Sequence, residues 1–137
     1  MRRIWGIDSE WGITVVRVAM AIVLIVAGYQ KWFQFGVWTG VTKAFTGYGL
    51  PMPAAFAVTA ATFELVGGIA LLLGLFTRWF GLYFICEFLI TFFYVKLRLT
   101  GFVDGRIDLM MLAGAILLFL AGSGKAAIDE ARGERSA

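Results

Sequence analysis

The 137-residue sequence contains no histidine and a single cysteine, Cys86, and only 15% of its residues are charged. Haem, iron–sulfur clusters and most zinc or copper sites are held by His, Cys or both. These counts argue against such a centre within the chain, and no metal site is expected. One cysteine cannot close an internal disulfide, so it says nothing of redox compartment. A soluble domain is about 45–50% apolar and about 25% charged. Here 61% is apolar, 16% aromatic, and the mean hydropathy is +0.85. A small soluble protein has a large surface for its volume and needs more polar cover than this. A water-soluble monomer is therefore not expected, and disordered chains are poor in the residue types that dominate here. The net charge of +3 is spread along the chain without a basic stripe. It suits anionic lipid headgroups rather than nucleic acid.

A membrane-crossing helix needs about 20 mostly apolar residues, since the hydrocarbon layer is about 30 Å thick and a helix rises about 1.5 Å per residue. Four stretches come close: 12–33, 54–76, 79–95 and 107–121. The expected fold is all-α, an integral membrane four-helix bundle in antiparallel up-down order, one domain over residues 1–137 with a polar, solvated tail from 122. Arg2 and Arg3 are followed by Asp8 and Glu10, and no A-x-A site follows the first apolar stretch. The first helix is thus expected to be retained rather than removed as a signal peptide. Trp5, Trp11, Trp32, Trp38 and Trp79 fall near helix ends as interfacial anchors.

Thr77-Arg78 leaves room only for a tight turn between the second and third helices. Between the first two, Val37, Trp38, Val41 and Phe45 share a helical face opposite Thr39, Thr42, Lys43 and Thr46. That periodicity predicts a short amphipathic helix in the interface plane. The cluster Gly47, Gly49, Pro51 and Pro53 then breaks it. Four crossings place both termini and Arg78 on one side with Arg2, Arg3, Lys125, Arg132 and Arg135. The other side holds Lys31, Lys43, Lys96, Arg98 and Arg106. The small excess predicts cytoplasmic termini in a cell (inner) membrane.

Two carboxyls interrupt the apolar stretches, Glu64 and Glu87. A charge at a helix centre costs about 2.5–3.5 kcal/mol on insertion scales, against about 0.3–0.6 gained by a leucine. Such residues face a bundle interior or an aqueous cavity and mark function by default. Counted from Arg78, Glu64 lies roughly 21 Å and Glu87 roughly 14 Å deep at the helical rise, and Arg17 enters from the same side. An Arg17–Glu87 pair, or a chain Arg17–Glu87–Glu64, is the expected arrangement. The alternative is a protonated carboxyl that hydrogen-bonds a neighbouring helix and merely fixes packing. At the opposite end stand Lys31, Lys96, Arg98, Asp104, Arg106 and Asp108. A Lys31–Asp108 pair would join helices one and four, Asp104 reads as a helix cap, and Lys96 and Arg98 as headgroup anchors.

Arg17, Gly28-Tyr-Gln-Lys31 and a loop ending Gly49-Leu-Pro51 resemble the opening of DoxX-family membrane proteins. Glu64-Leu-Val-Gly67-Gly68, then Leu-Leu-Leu-Gly74-Leu-Phe-Thr-Arg78, is similar to that family's most recognisable stretch. Gly122-Ser-Gly124-Lys-Ala-Ala-Ile-Asp129 is similar to its close. Many relatives carry a histidine in or after helix three, where this chain has Phe92-Phe93-Tyr94, and a glutamate where Asp108 stands. The resemblance implies four helices and a place beside redox enzymes, because family members include the membrane subunit of thiosulfate:quinone oxidoreductase and a partner in a thiol and oxidative-stress complex.

Three functions are compatible with these residues. The first is a membrane subunit of a quinone-linked oxidoreductase, inactive alone. In it Glu64 and Glu87 handle protons, while Arg17, Lys31, Arg78 and Asp108 help to form the quinone site. Its other redox centres come from partner subunits, with self-association also open. The second is a non-catalytic accessory of a larger membrane complex. The third is a small-molecule transporter, which the absence of paired internal repeats disfavours.

Overall fold

The computed structural model describes residues 3–4 and 7–131. Arg2, Trp5, Arg132 and Arg135, named above as anchors or orientation signals, lie outside the described residues. A two-rung pairing of Arg3–Ile4 with Ile7–Asp8 precedes the first helix. Helix α1 runs Glu10–Tyr29 and continues in wider turns through Gln30–Gln34. Further wide turns, Gly36–Val41, lead into the short α2, Thr42–Gly47. Then come α3, Pro53–Leu73; α4, Thr77–Leu89, prolonged in wide turns over Ile90–Thr100; α5, Phe102–Ala121; and α6, Ile128–Ala131.

Local chemistry sets these limits. Pro53 begins α3, where a missing N–H costs nothing. Gly74, at φ 71°, ends it in the left-handed conformation that suits glycine. Gly74 also packs against Ala127 with no room for a side chain. The wide turns matter for function. Each holds an extra residue, which rotates every later side chain to a new face, and such turns recur at functional sites.

Among the described residues, three helical stretches are long and apolar enough to cross a bilayer: Glu10–Gln34, Pro53–Leu73 and Thr77–Thr100. The expected fourth, α5, matches them in length but carries Asp104, Arg106 and Asp108 in its first two turns. Large side chains lie open on the outer surface, among them Val15, Val26, Val66, Trp79, Met110 and Leu120. Apolar cover on this scale belongs against lipid rather than water. The protein is an all-helical membrane protein whose outer surface meets the bilayer.

The helices associate through small residues. A side chain on Gly28 would come within 2.5 Å of the Leu65 backbone nitrogen, which fixes the close approach of α1 to α3. Gly81 meets the backbone of Ala115 and Phe119, drawing α4 onto α5. The α1/α3 and α4/α5 pairs join through Gly114 against Met20 and Gly67 against Phe80 and Phe84. Leu24, Leu71, Phe84, Ala115 and Leu118 form a nearly solvent-free layer there.

The segment between α1 and α3 is helical, as its periodicity predicts. Val37 and Val41 are buried on Ala57 and Ala61, with Phe45 packed beside them. Trp38, expected on the same face, instead points outward, because the wide turns over Gly36–Val41 shift the register.

The tail departs from expectation more sharply. Its described part, up to Ala131, folds back rather than standing free in solvent: Gly122, Ser123, Gly124 and Asp129 are buried. The chain doubles back beneath the bundle, and the Asp129 amide donates to the Gly74 carbonyl (2.9 Å).

Candidate functional site

The two ends of the molecule are built differently. At the end where α1 begins, the Arg17 side chain is 1% exposed. Its guanidinium donates to the carbonyls of Ser123 (2.6 Å), Lys125 (3.3 Å) and Ala126 (2.9 Å). The Asp129 carboxylate accepts from the amides of Phe76 (2.9 Å) and Thr77 (2.7 Å). It thereby caps α4 from 52 residues away and faces the positive end of that helix. Phe76 needs the support, since its φ of 52° is unusual for a bulky residue. Arg17 therefore does not pair with Glu87 or Glu64. The carbonyls of the returning tail stand nearer, and a fork of N–H donors suits several oxygens at once. Arg78 is exposed in the first turn of α4 and does not line the cavity that holds Glu64 and Glu87.

Glu64 and Glu87 do come together. Both line a cavity of ≈ 420 Å³ between the two helix pairs, on the side away from Arg17. That volume falls within the range of small-molecule sites, about 300–1,000 Å³. Its walls are chiefly apolar, with Leu24, Phe56, Phe88 and Met111 among them. Glu64, buried on α3, accepts a 2.7 Å hydrogen-bonded ion pair from the Lys31 ammonium. The wide turns after Tyr29 aim Lys31 inward, so it takes Glu64 and not the expected Asp108 as its direct partner. Glu87 accepts a 3.0 Å hydrogen bond from the Tyr83 hydroxyl one turn earlier. The Glu64 carboxyl and Lys31 lie within electrostatic reach of Glu87.

Asp108 completes the polar lining from α5. Its nearest cation is Lys96, at 4.0 Å. Its Oδ2 atom is buried without a hydrogen bond. Lys96 thus serves this cluster rather than acting only as a headgroup anchor. Asp104, four residues earlier, is exposed and takes no part.

Tyr83 was not among the expected site residues, although its spacing of four from Glu87 was a readable signal. Tyr83 also stacks on Phe63 at 4.3 Å, so its ring is held while its hydroxyl faces the carboxyl. At the loop end, Arg98 donates to the Tyr48 carbonyl (2.8 Å) and its guanidinium lies 4.3 Å from the centre of the Tyr94 ring. The Tyr94 hydroxyl donates to the Gly49 carbonyl (3.1 Å). These contacts tie the α2–α3 loop across the cavity to the prolonged α4.

This geometry accompanies a clear likeness to known sequences. The DoxX family model matches residues 12–97. The chain belongs to the DoxX family. The match includes Arg17, Lys31, Glu64, Tyr83 and Glu87 and stops short of Asp108. A relative named "Putative oxidoreductase CatD", from Bacillus subtilis (strain 168), is 32% identical over 120 residues, covering 88% of this chain and 86% of that protein. No solved structure gives a significant match. Family membership and this relative together support an oxidoreductase-associated role in a membrane.

Proposed function

We propose that this DoxX protein is the membrane subunit of a quinone-linked oxidoreductase complex, of the thiosulfate:quinone or thiol and oxidative-stress type. In this reading α5 is a fourth crossing that completes an antiparallel bundle. It carries the chain back to the Arg17 side, with the termini in the cytoplasm of a cell membrane. The observation that carries the proposal is the apolar-walled cavity holding Lys31–Glu64, Tyr83–Glu87 and Asp108 together. A quinone there supplies a two-electron, two-proton acceptor, the electrons coming from a partner redox subunit. The Tyr83 hydroxyl and Glu87 carboxyl hold a transferable proton, Lys31 neutralises charge beside it, and the Asp108 Oδ2 atom, 4.0 Å from the Lys96 ammonium and without a hydrogen bond, offers a further hydrogen-bonding position. Fixed groups of this kind inside a low-dielectric pocket orient a polar head while apolar walls hold the rest.

Photolabelling with an azido-quinone in native membranes tests the proposal. Adducts on cavity residues, competed by unlabelled quinone and reduced at least tenfold in Tyr83→Phe and Glu87→Gln, are expected. Labelling indifferent to competition, in a chain that folds normally, would overturn it. The accessory-subunit reading draws on the Lys31–Glu64 pair, which can clamp α1 to α3 without any ligand. It predicts that deleting this chain leaves turnover of the surrounding complex intact.

A further inference from the structure

Proton handling inside a membrane requires a route to water, and the two ends of this molecule differ in offering one. Toward Arg17, Leu24 lines the cavity and belongs to one apolar core cluster with Leu71, Phe84 and Leu118, each at most 1% exposed. Beyond that layer lies the folded tail, with Thr77 and Ser123 fully buried and Arg17 clamped onto tail carbonyls. Among the described residues, no polar side chain lines the cavity on that side of the Tyr83–Glu87 pair. Toward the loop end Lys31, Thr91, Lys96 and Asp108 join apolar residues such as Phe45, Leu50 and Ile107 in the lining. The Lys96 side chain is 33% exposed, Lys31 24% and Asp108 18%, and Glu64, at 6%, lies deepest. Asp108 is within electrostatic reach of Lys31 and Glu64 as well as Lys96, and Thr91 stands beside it.

We infer that the cavity is a one-sided proton port, open to water at the Lys31–Lys96–Asp108 end and sealed by the tail and apolar layer at the Arg17 end. The inference rests on the proposed site and adds the side of the membrane from which its protons come. A proton from water converts the Asp108 carboxylate to a carboxyl. Passing it inward restores that carboxylate and protonates the Glu64–Glu87 pair, and no electrons move. The groups facing Glu87 are Tyr83 on its own helix, Glu64 from α3 and Lys31 from the end of α1, and Cys86 lines the same cavity. Lys96 and Asp108 form the outer shell around them.

Cys86, the sole cysteine in the sequence, lines this cavity and serves as a native reporter. The full chain is reconstituted in sealed liposomes, with insertion scored by protease clipping of the C-terminal tail. A small, charged, membrane-impermeant methanethiosulfonate reagent is then applied from one side at a time, with Cys86→Ser as the control. Modification at least tenfold faster from the loop end is expected. Equal rates from both sides, faster reaction from the tail end, or no reaction from either side would overturn the port.

A second measurement reads the proton itself. The infrared carbonyl band lost in Glu87→Gln should follow pH changes on the loop side alone, at least tenfold more slowly in Asp108→Asn. A band that follows the tail side, or neither side, overturns the inference. Neither experiment involves a quinone. One-sided access without photolabelling would retain the port and discard the quinone; photolabelling with two-sided access would do the reverse.

Discussion

Replacing Arg17 by Met should loosen the tail and cost about 3 kcal/mol of stability, a figure that follows from what the guanidinium holds. Hydrogen bonds to a charged group contribute about 1.5–3 kcal/mol each, and a buried acceptor left without a donor costs about 1–3 kcal/mol. The Ser123 carbonyl lies in a fully buried residue at 2.6 Å, so its loss counts in full. The Lys125 and Ala126 carbonyls are partly buried and regain water when released, so they count for about half. The apolar methionine returns some stability by filling part of the vacated space. Arg17→Lys should recover only about half of the loss, because one compact ammonium cannot span carbonyls that a fork reaches together. The assay is unfolding in mixed detergent micelles, paired with limited proteolysis of the segment after Ala121. If Arg17→Met unfolds within about 0.5 kcal/mol of the parent and its tail stays protected, the clamp is not what holds this end closed.

Other substitutions separate the remaining contacts. Lys31→Met should destabilise by about 3–5 kcal/mol, since it strands the buried Glu64, and adding Glu64→Gln should restore most of that; a double-mutant cycle showing no coupling would dismiss the pair as structural. Gly28→Ala should cost about 1–3 kcal/mol through collision with the Leu65 backbone, whereas Gly12→Ala, with open space around it, should gain up to about 1 kcal/mol; micelle unfolding that ranks the two in the opposite order would contradict the close α1–α3 approach. Arg98→Ala should leave stability within about 1 kcal/mol, as expected for an exposed contact, yet quicken amide exchange in Tyr48–Leu50, and unchanged exchange there would remove the latch.

Much of the helical architecture was legible because lipid imposes a simple rule. Apolar stretches long enough to cross must be helical, and the short link between α3 and α4, expected at Thr77-Arg78 and found three residues earlier at Gly74–Phe76, forces the two helices to run in opposite directions. The carboxyls were legible for the same reason: a residue as costly as Glu64 in an apolar stretch has to be sheltered. Depth counting placed Glu64 and Glu87 near one level, and both line the same cavity. The count went astray where the helix ceased to be regular. Lys31 and Lys96 both follow the onset of wide turns, and a pattern built on 3.6 residues per turn cannot say which way they face. The Lys31–Glu64 and Lys96–Asp108 partnerships therefore escaped the sequence, as did the outward turn of Trp38.

The tail was missed for another reason, and that reason bears on how the site works. Its composition, with glycines and charges of both signs, reads as solvated chain. What orders it is Arg17, more than a hundred residues earlier, together with two amides freed by the left-handed turn at Phe76. Neither partner carries a local signal, since a backbone carbonyl looks the same in every residue. Arg17 is thus buried against the carbonyls of the returning tail, whereas Glu64 is buried, and Glu87 and Asp108 half-buried, beside the cavity. A charge inside an apolar helix establishes that something must shelter it. Whether the shelter is a wall or a site depends on what lies across from it, and here the two cases sit at opposite ends of the same bundle.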